Sequence, residues 1–328
     1  MSLSAIVGQP MAKRLFFNAL QRQAISHGYL LVGPRGTGKT FAARNLAKAL
    51  NCEAPTAERD ACDACPSCRA IERGVDPVFQ VIAADGARIR IEQTRALVAD
   101  MALRPDAGRR KVYVIREADR LTPGAANNLL KVLEEPPSYG VLILTTDTPS
   151  ALPPTVISRC QVIPFKPAPF PAVAEAVTRM TGAALEQAVQ AAAMSGGILG
   201  QALDLVRSGR LSARIRLAKR ALSVLGRAGI LERIDLLEEM VQYGEDREAL
   251  TELLTDLASL FRDALVSSIH PGLAELEGRA DRALLAGAAE DYGTARLAAA
   301  VDRLGRALDG LRHNLQPRLA LDYVIFNV

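Results

Sequence analysis

The octapeptide Gly33-Pro34-Arg35-Gly36-Thr37-Gly38-Lys39-Thr40 narrows the fold of this chain more than any other feature. It satisfies the pattern G-x-x-x-x-G-K-[ST] and follows a short apolar run, Tyr29-Leu30-Leu31-Val32. A helical pattern through Phe41, Leu46, Ala49 and Leu50 comes directly after it. This strand–loop–helix context is what the phosphate-binding mechanism requires. Gly33, Gly36 and Gly38 let backbone N–H groups turn toward phosphate oxygens, and the helix N-terminus adds positive potential. Lys39 is then expected to reach the β and γ phosphates, and the Thr40 hydroxyl to ligate magnesium. A chance match in a glycine-rich turn is the alternative, and the flanking pattern weighs against it.

Further buried strands are expected at Val112-Tyr113-Val114-Ile115 and Val141-Leu142-Ile143-Leu144. Between them Thr122-Pro123 reads as an N-cap followed by proline in the first turn. Ala126, Leu129, Leu130 and Leu133 fall on one helical face, and Pro136-Pro137 stops that helix. Strands alternating with helices imply a parallel sheet covered on both faces. The pattern changes at Phe165-Lys166-Pro167-Ala168-Pro169, beyond which only helices are expected. Residues 171 to about 207 read as small-residue helices broken at Gly196-Gly197. Longer helices follow, with apolar stripes through Leu250, Leu253, Leu254, Leu257, Leu260, Phe261 and Ala264, and through Leu297, Val301, Leu304, Leu308, Leu311 and Leu315. Such stripes are either intramolecular core or a seam for a partner subunit. With 328 residues, more than one core is expected. The division is residues 1–165 for the nucleotide-binding domain, 166–208 for a helical lid and 209–328 for a helical oligomerisation domain.

A nucleotide site is not yet a hydrolase. Hydrolysis also needs an acidic pair after a second strand, and here Val112–Ile115 is followed by Arg116-Glu117. A cation where the metal-holding aspartate is expected opposes magnesium, so ATP or ADP should be held without useful turnover. Asp119 is the alternative ligand, but it lies beyond the strand end.

Cys52, Cys62, Cys65 and Cys68 are separated by nine, two and two residues, while Cys160 stands apart as a small apolar residue. In a reducing compartment, Cys-x-x-Cys pairs read as metal ligands. Four thiolates fit a closed, structural Zn2+ site with no position open for substrate. Redox chemistry and an iron–sulfur cluster are the other readings. Glu53, Glu58, Asp60 and Asp63 make this insert acidic, which argues against a DNA-gripping finger. The formal charge is only +4, and Arg109-Arg110-Lys111, the densest basic cluster, reads as a solvated loop. The apolar runs fall short of the roughly 18–20 residues that span a bilayer. The start, Met1-Ser2-Leu3-Ser4, lacks a basic segment followed by an apolar run, so the cytoplasm and no membrane partner are expected.

Together these features resemble the AAA+ subunits of bacterial DNA polymerase III clamp loaders. The landmarks are Ile6-Val7-Gly8-Gln9, the phosphate loop, the four-cysteine insert, and Asn128-Leu129-Leu130-Lys131-Val132-Leu133-Glu134-Glu135-Pro136-Pro137. Thr145-Thr146-Asp147 and Ser158-Arg159-Cys160 complete the set. The resemblance is close over residues 5 to about 205 and looser beyond. It implies that Arg159 is an arginine finger acting in trans, a surface or intradomain salt-bridge residue being the alternative, and that Thr146 is a sensor threonine near a phosphate. It also implies partners: gamma/tau and delta subunits, and, through the assembled complex, the sliding clamp and primer-template DNA. Motor subunits of the family keep an Asp-Glu pair after the second strand and an arginine in a Gly-Ser-x-Arg-x-Ala-Leu segment. This chain has Arg116-Glu117 at the first place and Gly200, within Gly197-Ile198-Leu199-Gly200-Gln201-Ala202-Leu203, at the second. It therefore resembles the accessory subunit that lends a finger. The motor is the alternative, and its tau form is expected to carry a longer C-terminal extension.

Overall fold

The structure is a computed structural model that describes residues 2–106, 108–227, 229–244, 247–270, 282–313 and 315–328. The chain divides into two compact units, Met1–Ala176 with Ile198–Gln201, and Val177–Gly197 with Ala202–Val328.

The first unit is built on five parallel strands: β1 (Gly28–Val32), β2 (Phe79–Ile82), β3 (Lys111–Ile115), β4 (Gly140–Thr146) and β5 (Gln161–Pro164), in the order β2-β3-β4-β1-β5. β3 and β4 are buried throughout because residues from both of their faces enter a core. Tyr29, Leu31, Val112, Val114, Val141 and Ile143 face one helical layer, which includes Phe16 of α1 (Pro10–Gln21) and Ala42, Ala43 and Leu46 of α2 (Lys39–Asn51). Leu30, Tyr113, Ile115, Leu142 and Leu144 face the other. That layer holds Leu97 and Met101 of α4 (Ile91–Ala102) and Leu129 and Leu133 of α5 (Pro123–Glu134). The two-residue alternation of a strand thus feeds two cores from one apolar run. Thr122 caps α5 as expected, its side chain accepting from the Ala125 N–H at 3.3 Å.

Two strands and four helices add to what the sequence pattern predicts. β2 and β5 are short edge strands that expose Val81 and Val162, which weakens their apolar signal. Pro164 is tolerated at the end of β5 because an edge strand has a side with no ladder to complete. α1, α3 (Pro66–Arg73), α4 and the short α6 (Pro154–Ile157) likewise go beyond it.

Arg109-Arg110-Lys111 is not a solvated loop. Arg109 Nη2 donates to Asp76 Oδ2 at 2.6 Å and to Ser67 Oγ at 3.1 Å. Arg110 Nη1 donates to the Ser138 carbonyl, and the buried Lys111 ammonium pairs with Asp100 Oδ2 at 3.1 Å. These cations tie the start of β3 to α3, α4 and the loop before β4.

In the second unit, α8 (Leu185–Met194) buries alanines, and the turn after it has Gly196 and Gly197 at φ 59° and 80°. Its main core comes from α10 (Leu211–Arg227), α11 (Ile230–Tyr243), α12 (Arg247–Ile269), α13 (Arg282–Arg312) and α14 (Pro317–Asn327). Both apolar stripes pack into this core rather than outward, with Val301, Leu308 and Leu315 partly covered. Tyr292 fills the space beside Gly226, where a Cβ would come within 2.5 Å of its ring, and donates to the Leu222 carbonyl at 2.8 Å. Arg214 is buried with Asp256, which it grips through Nε and through Nη2 at 3.0 Å, and it reaches Glu252 at 2.7 Å. No helix of the described residues is long and apolar enough to cross a membrane.

Candidate functional site

A parallel sheet gathers ligands at the C-terminal ends of its strands, where loops diverge and helix N-termini point. A cavity of about 370 Å³ lies there. From the phosphate loop it takes Arg35, Gly36, Gly38, Lys39 and Thr40. From the β3 end come Arg116, Glu117, Asp119 and Arg120, and from the β4 end Thr145, Thr146 and Asp147. Of the residues expected from sequence, Gly36, Gly38, Lys39, Thr40 and Thr146 therefore line one cleft. Gly33 supports it from behind: a Cβ there would stand 1.9 Å from the Phe165 carbonyl oxygen. Gly36 and Gly38 have φ of 88° and 94°, the left-handed region that favours glycine, and Gly38 directly precedes α2.

Lys39 folds over the loop, its ammonium donating to the Gly33 carbonyl and to the Pro34 carbonyl at 2.9 Å. Burial pulls it below the usual lysine value, against the nearby carboxylates of Asp147, Asp119 and Glu117. Asp119 is better placed than its position beyond the strand implies. A short 3-10 turn returns it to the cleft, where its Oδ1 accepts from the Thr146 hydroxyl at 2.7 Å. Glu117 sits at φ 52° and pairs with Arg120 at 3.2 Å. Arg120 is a cleft residue that motif reading missed, and Asp147, noted only as part of a landmark, joins it in the lining. The sequence signal of Arg120 is only charge in the loop after a strand. Gly200 packs on the loop itself: its N–H donates to the Gly36 carbonyl at 2.9 Å, and a Cβ there would stand 2.8 Å from the Gly36 Cα. An arginine side chain at position 200 has no room in this arrangement.

Arg159 lies elsewhere. It lies two residues before β5, and a Cβ at Gly28 would stand 3.1 Å from its carbonyl oxygen. Gly28 begins β1 and the phosphate loop follows its end, so Arg159 is at the opposite edge of the sheet, about 16 Å away at the usual rise per residue. There its guanidinium is partly exposed. It pairs with Glu134 Oε1 at 2.9 Å and donates to the Thr155 carbonyl at 3.0 Å. Cys160 beside it is half-buried against the α5 side of the sheet, and burial pushes its thiol up to about 12.

The sulfur atoms of Cys52, Cys62, Cys65 and Cys68 all lie within 4.8 Å of one another. A tetrahedral ion with arms of about 2.3 Å needs them roughly 3.8 Å apart, so the group is arranged for one ion with small adjustment. Backbone N–H groups point at three of the sulfurs: Cys62 N to Cys52 Sγ at 3.3 Å, Cys65 N to Cys62 Sγ at 3.3 Å, and Cys68 N to Cys65 Sγ at 3.4 Å. Such donors favour the thiolate form that a metal needs, and those of Ala64 and Cys65 hold the Cys62 thiol at about 6, while burial by itself pushes the Cys52 and Cys68 thiols up. Asp63, at φ 60°, makes the tight bend between Cys62 and Cys65. These four residues could hold a metal ion. The acidic residues nearby are structural. Asp60 accepts from the Leu3 and Ser4 N–H groups at 3.0 Å, and Asp63 and Glu72 both grip the buried Lys48.

The family model described as "DNA polymerase III, delta subunit" matches residues 8–169. The tau subunit of DNA polymerase III from Bacillus subtilis is 34% identical over 293 residues, 82% of this chain and 50% of that protein. The delta' subunit from the same organism is 40% identical over 159 residues, 48% of each chain. The chain thus spans about half the length of these curated relatives. A DNA polymerase III gamma subunit-related protein of Thermotoga maritima aligns over 95% of this chain and 97% of that one, with 16% identity and a TM-score of 0.49. The family match, the relatives and the phosphate loop on a five-stranded parallel sheet agree: this chain belongs to the clamp-loader subunits of DNA polymerase III, an AAA+ family with delta'-like and gamma/tau-like members.

Proposed function

We propose that the chain is a delta-prime subunit, which binds nucleotide without turning it over and lends Arg159 to the ATP site of a neighbouring gamma/tau subunit. The observation that carries this reading is the position of Arg159, at the sheet edge opposite the chain's own phosphate loop. From there it can serve only another molecule's triphosphate. A guanidinium offers several fixed donors to the charge that develops on a transferring phosphoryl group. Loss of the motor is supported by Arg116 where a metal-holding aspartate is needed, and by Gly200, whose contact with Gly36 excludes an arginine.

In this reading residues 166–208 act as a lid and residues 209–328 join a collar with gamma/tau and delta. ATP binding by the neighbours assembles a cytoplasmic complex around the sliding clamp, and hydrolysis releases the clamp on primer-template DNA. The four cysteines hold a structural Zn2+, which supplies cross-linking of the insert and no catalysis.

A gamma/tau-like motor is the second reading. It is favoured by the intact phosphate loop and by similarity to a tau subunit that extends over 82% of this chain. The two readings part on a direct test: co-purification with gamma/tau and delta, then ATPase measurement of each species alone and together. Delta-prime predicts an inert chain that raises the rate of the complex. Sustained turnover by the chain alone, abolished by Lys39→Ala, would overturn it.

A further inference from the structure

We infer that Arg116 takes the place of magnesium in this cleft, so that the chain binds ADP or ATP without a divalent cation. The inference rests on the nucleotide-binding reading above and specifies the chemistry of that same site.

A P-loop metal is held by the loop Ser/Thr hydroxyl and by an acidic side chain after a second strand. Thr40 supplies the first partner, and both it and the second position line the cleft. The second position is Arg116, whose backbone N–H continues the pairing with β2 by donating to the Ile82 carbonyl at 2.8 Å. β3 is two strands from β1, about 10 Å at the usual spacing, a gap closed by an arginine and the phosphates it would meet. Arg116 is exposed, and among the described residues its guanidinium makes no ion pair or hydrogen bond.

Each of the remaining carboxylates of the cleft has a partner on one of its oxygens. Glu117 pairs with Arg120, Asp119 accepts the Thr146 hydroxyl, and Asp147 accepts the Thr148 hydroxyl at 3.0 Å. Arg35, Lys39, Arg116 and Arg120 stand against Glu117, Asp119 and Asp147, so the lining carries four cations and three anions. A polyphosphate finds a positive cleft with an unused guanidinium at the metal's side. A divalent cation there meets that guanidinium as a like charge, at the position where the second metal-holding carboxylate is needed. Charge-assisted bonds from one guanidinium are worth about 1.5–3 kcal/mol, equivalent to about ten- to a hundredfold in affinity.

The test is titration of the full chain with ADP and with ATP by calorimetry, in excess Mg2+ and in EDTA. The same series is run for Arg116→Ala and Arg116→Asp. The native chain is expected to bind with less than about threefold difference between the two buffers. In EDTA, Arg116→Ala should weaken binding at least about tenfold, and Arg116→Asp should weaken it further and regain affinity when Mg2+ is added. Loss of native binding in EDTA by about tenfold or more overturns the inference while leaving a nucleotide site in place. Magnesium-independent binding unchanged by either substitution removes Arg116 from the role. No binding of either nucleotide in either buffer overturns the nucleotide-binding reading itself, and this inference with it.

Discussion

Replacing Arg159 by alanine separates the proposed catalytic role from a structural one because the two predict very different magnitudes. The side chain is 37% exposed and its partner Glu134 50% exposed, at 2.9 Å. An exposed pair of this kind contributes under about 1 kcal/mol, so the melting temperature of the chain should fall by no more than about 4 °C. Arginine fingers in GTPases contribute about 10³- to 10⁵-fold to turnover, which is about 4–7 kcal/mol of transition-state stabilisation. The assay is steady-state ATP hydrolysis by a complex reconstituted from gamma/tau, delta and this chain, normalised to assembled complex by size-exclusion chromatography. One site of the assembly should go silent while assembly and melting stay near native. Arg159→Lys should recover little, since an ammonium cannot reproduce the planar fork of donors. An unchanged rate per complex, or a loss that merely tracks failed assembly, would refute the reasoning.

Three further outcomes follow from the packing. Cys65→Ala should abolish stoichiometric zinc, measured by metal analysis of the purified chain, because it removes the ligand shared by the two Cys-x-x-Cys pairs; full retention of tight zinc would exclude the four-sulfur site. Arg214→Met should destabilise the chain by about 3–5 kcal/mol in denaturant unfolding by taking the buried guanidinium away from Asp256, and adding Asp256→Leu should restore much of that loss; a double variant as unstable as the single one would contradict this account. Burial pushes the Glu239 carboxyl up, but hydrogen bonds from Arg216 and Arg220 outweigh it and leave the group below its usual value. Its contribution is complete above the unfolded carboxylate pKa and is lost as pH falls through the folded one, so the melting difference between the native chain and Glu239→Gln should shrink between neutral pH and about 3. A difference independent of pH would rule that out.

Much of the nucleotide-binding half was legible from local order alone. The phosphate loop, the apolar runs of β1, β3 and β4, the Thr122-Pro123 cap and the cysteine spacing are patterns whose physics is settled within a dozen residues. Each appears in the structure where the sequence places it. The edge strands β2 and β5 were not legible, because half of each faces solvent and the hydrophobic signal fades. Asp119 was misjudged for a related reason: a single 3-10 turn brings a residue beyond the strand end back to Thr146, and one-dimensional spacing carries no such reversal.

Tertiary structure alone decided which groups meet. Sequence supplied a loop for phosphate and an arginine in Ser158-Arg159-Cys160, but not that they occupy opposite edges of one sheet. That separation follows from the parallel crossover, which starts every strand on one side and ends it on the other. Nor could spacing show that Gly200 lies against Gly36, that the basic run at 109–111 is spent on Asp76, Ser138 and Asp100, or that both leucine stripes are turned into their own core. Such juxtapositions join residues up to 160 and more positions apart, and they exist only once the chain has closed its cores.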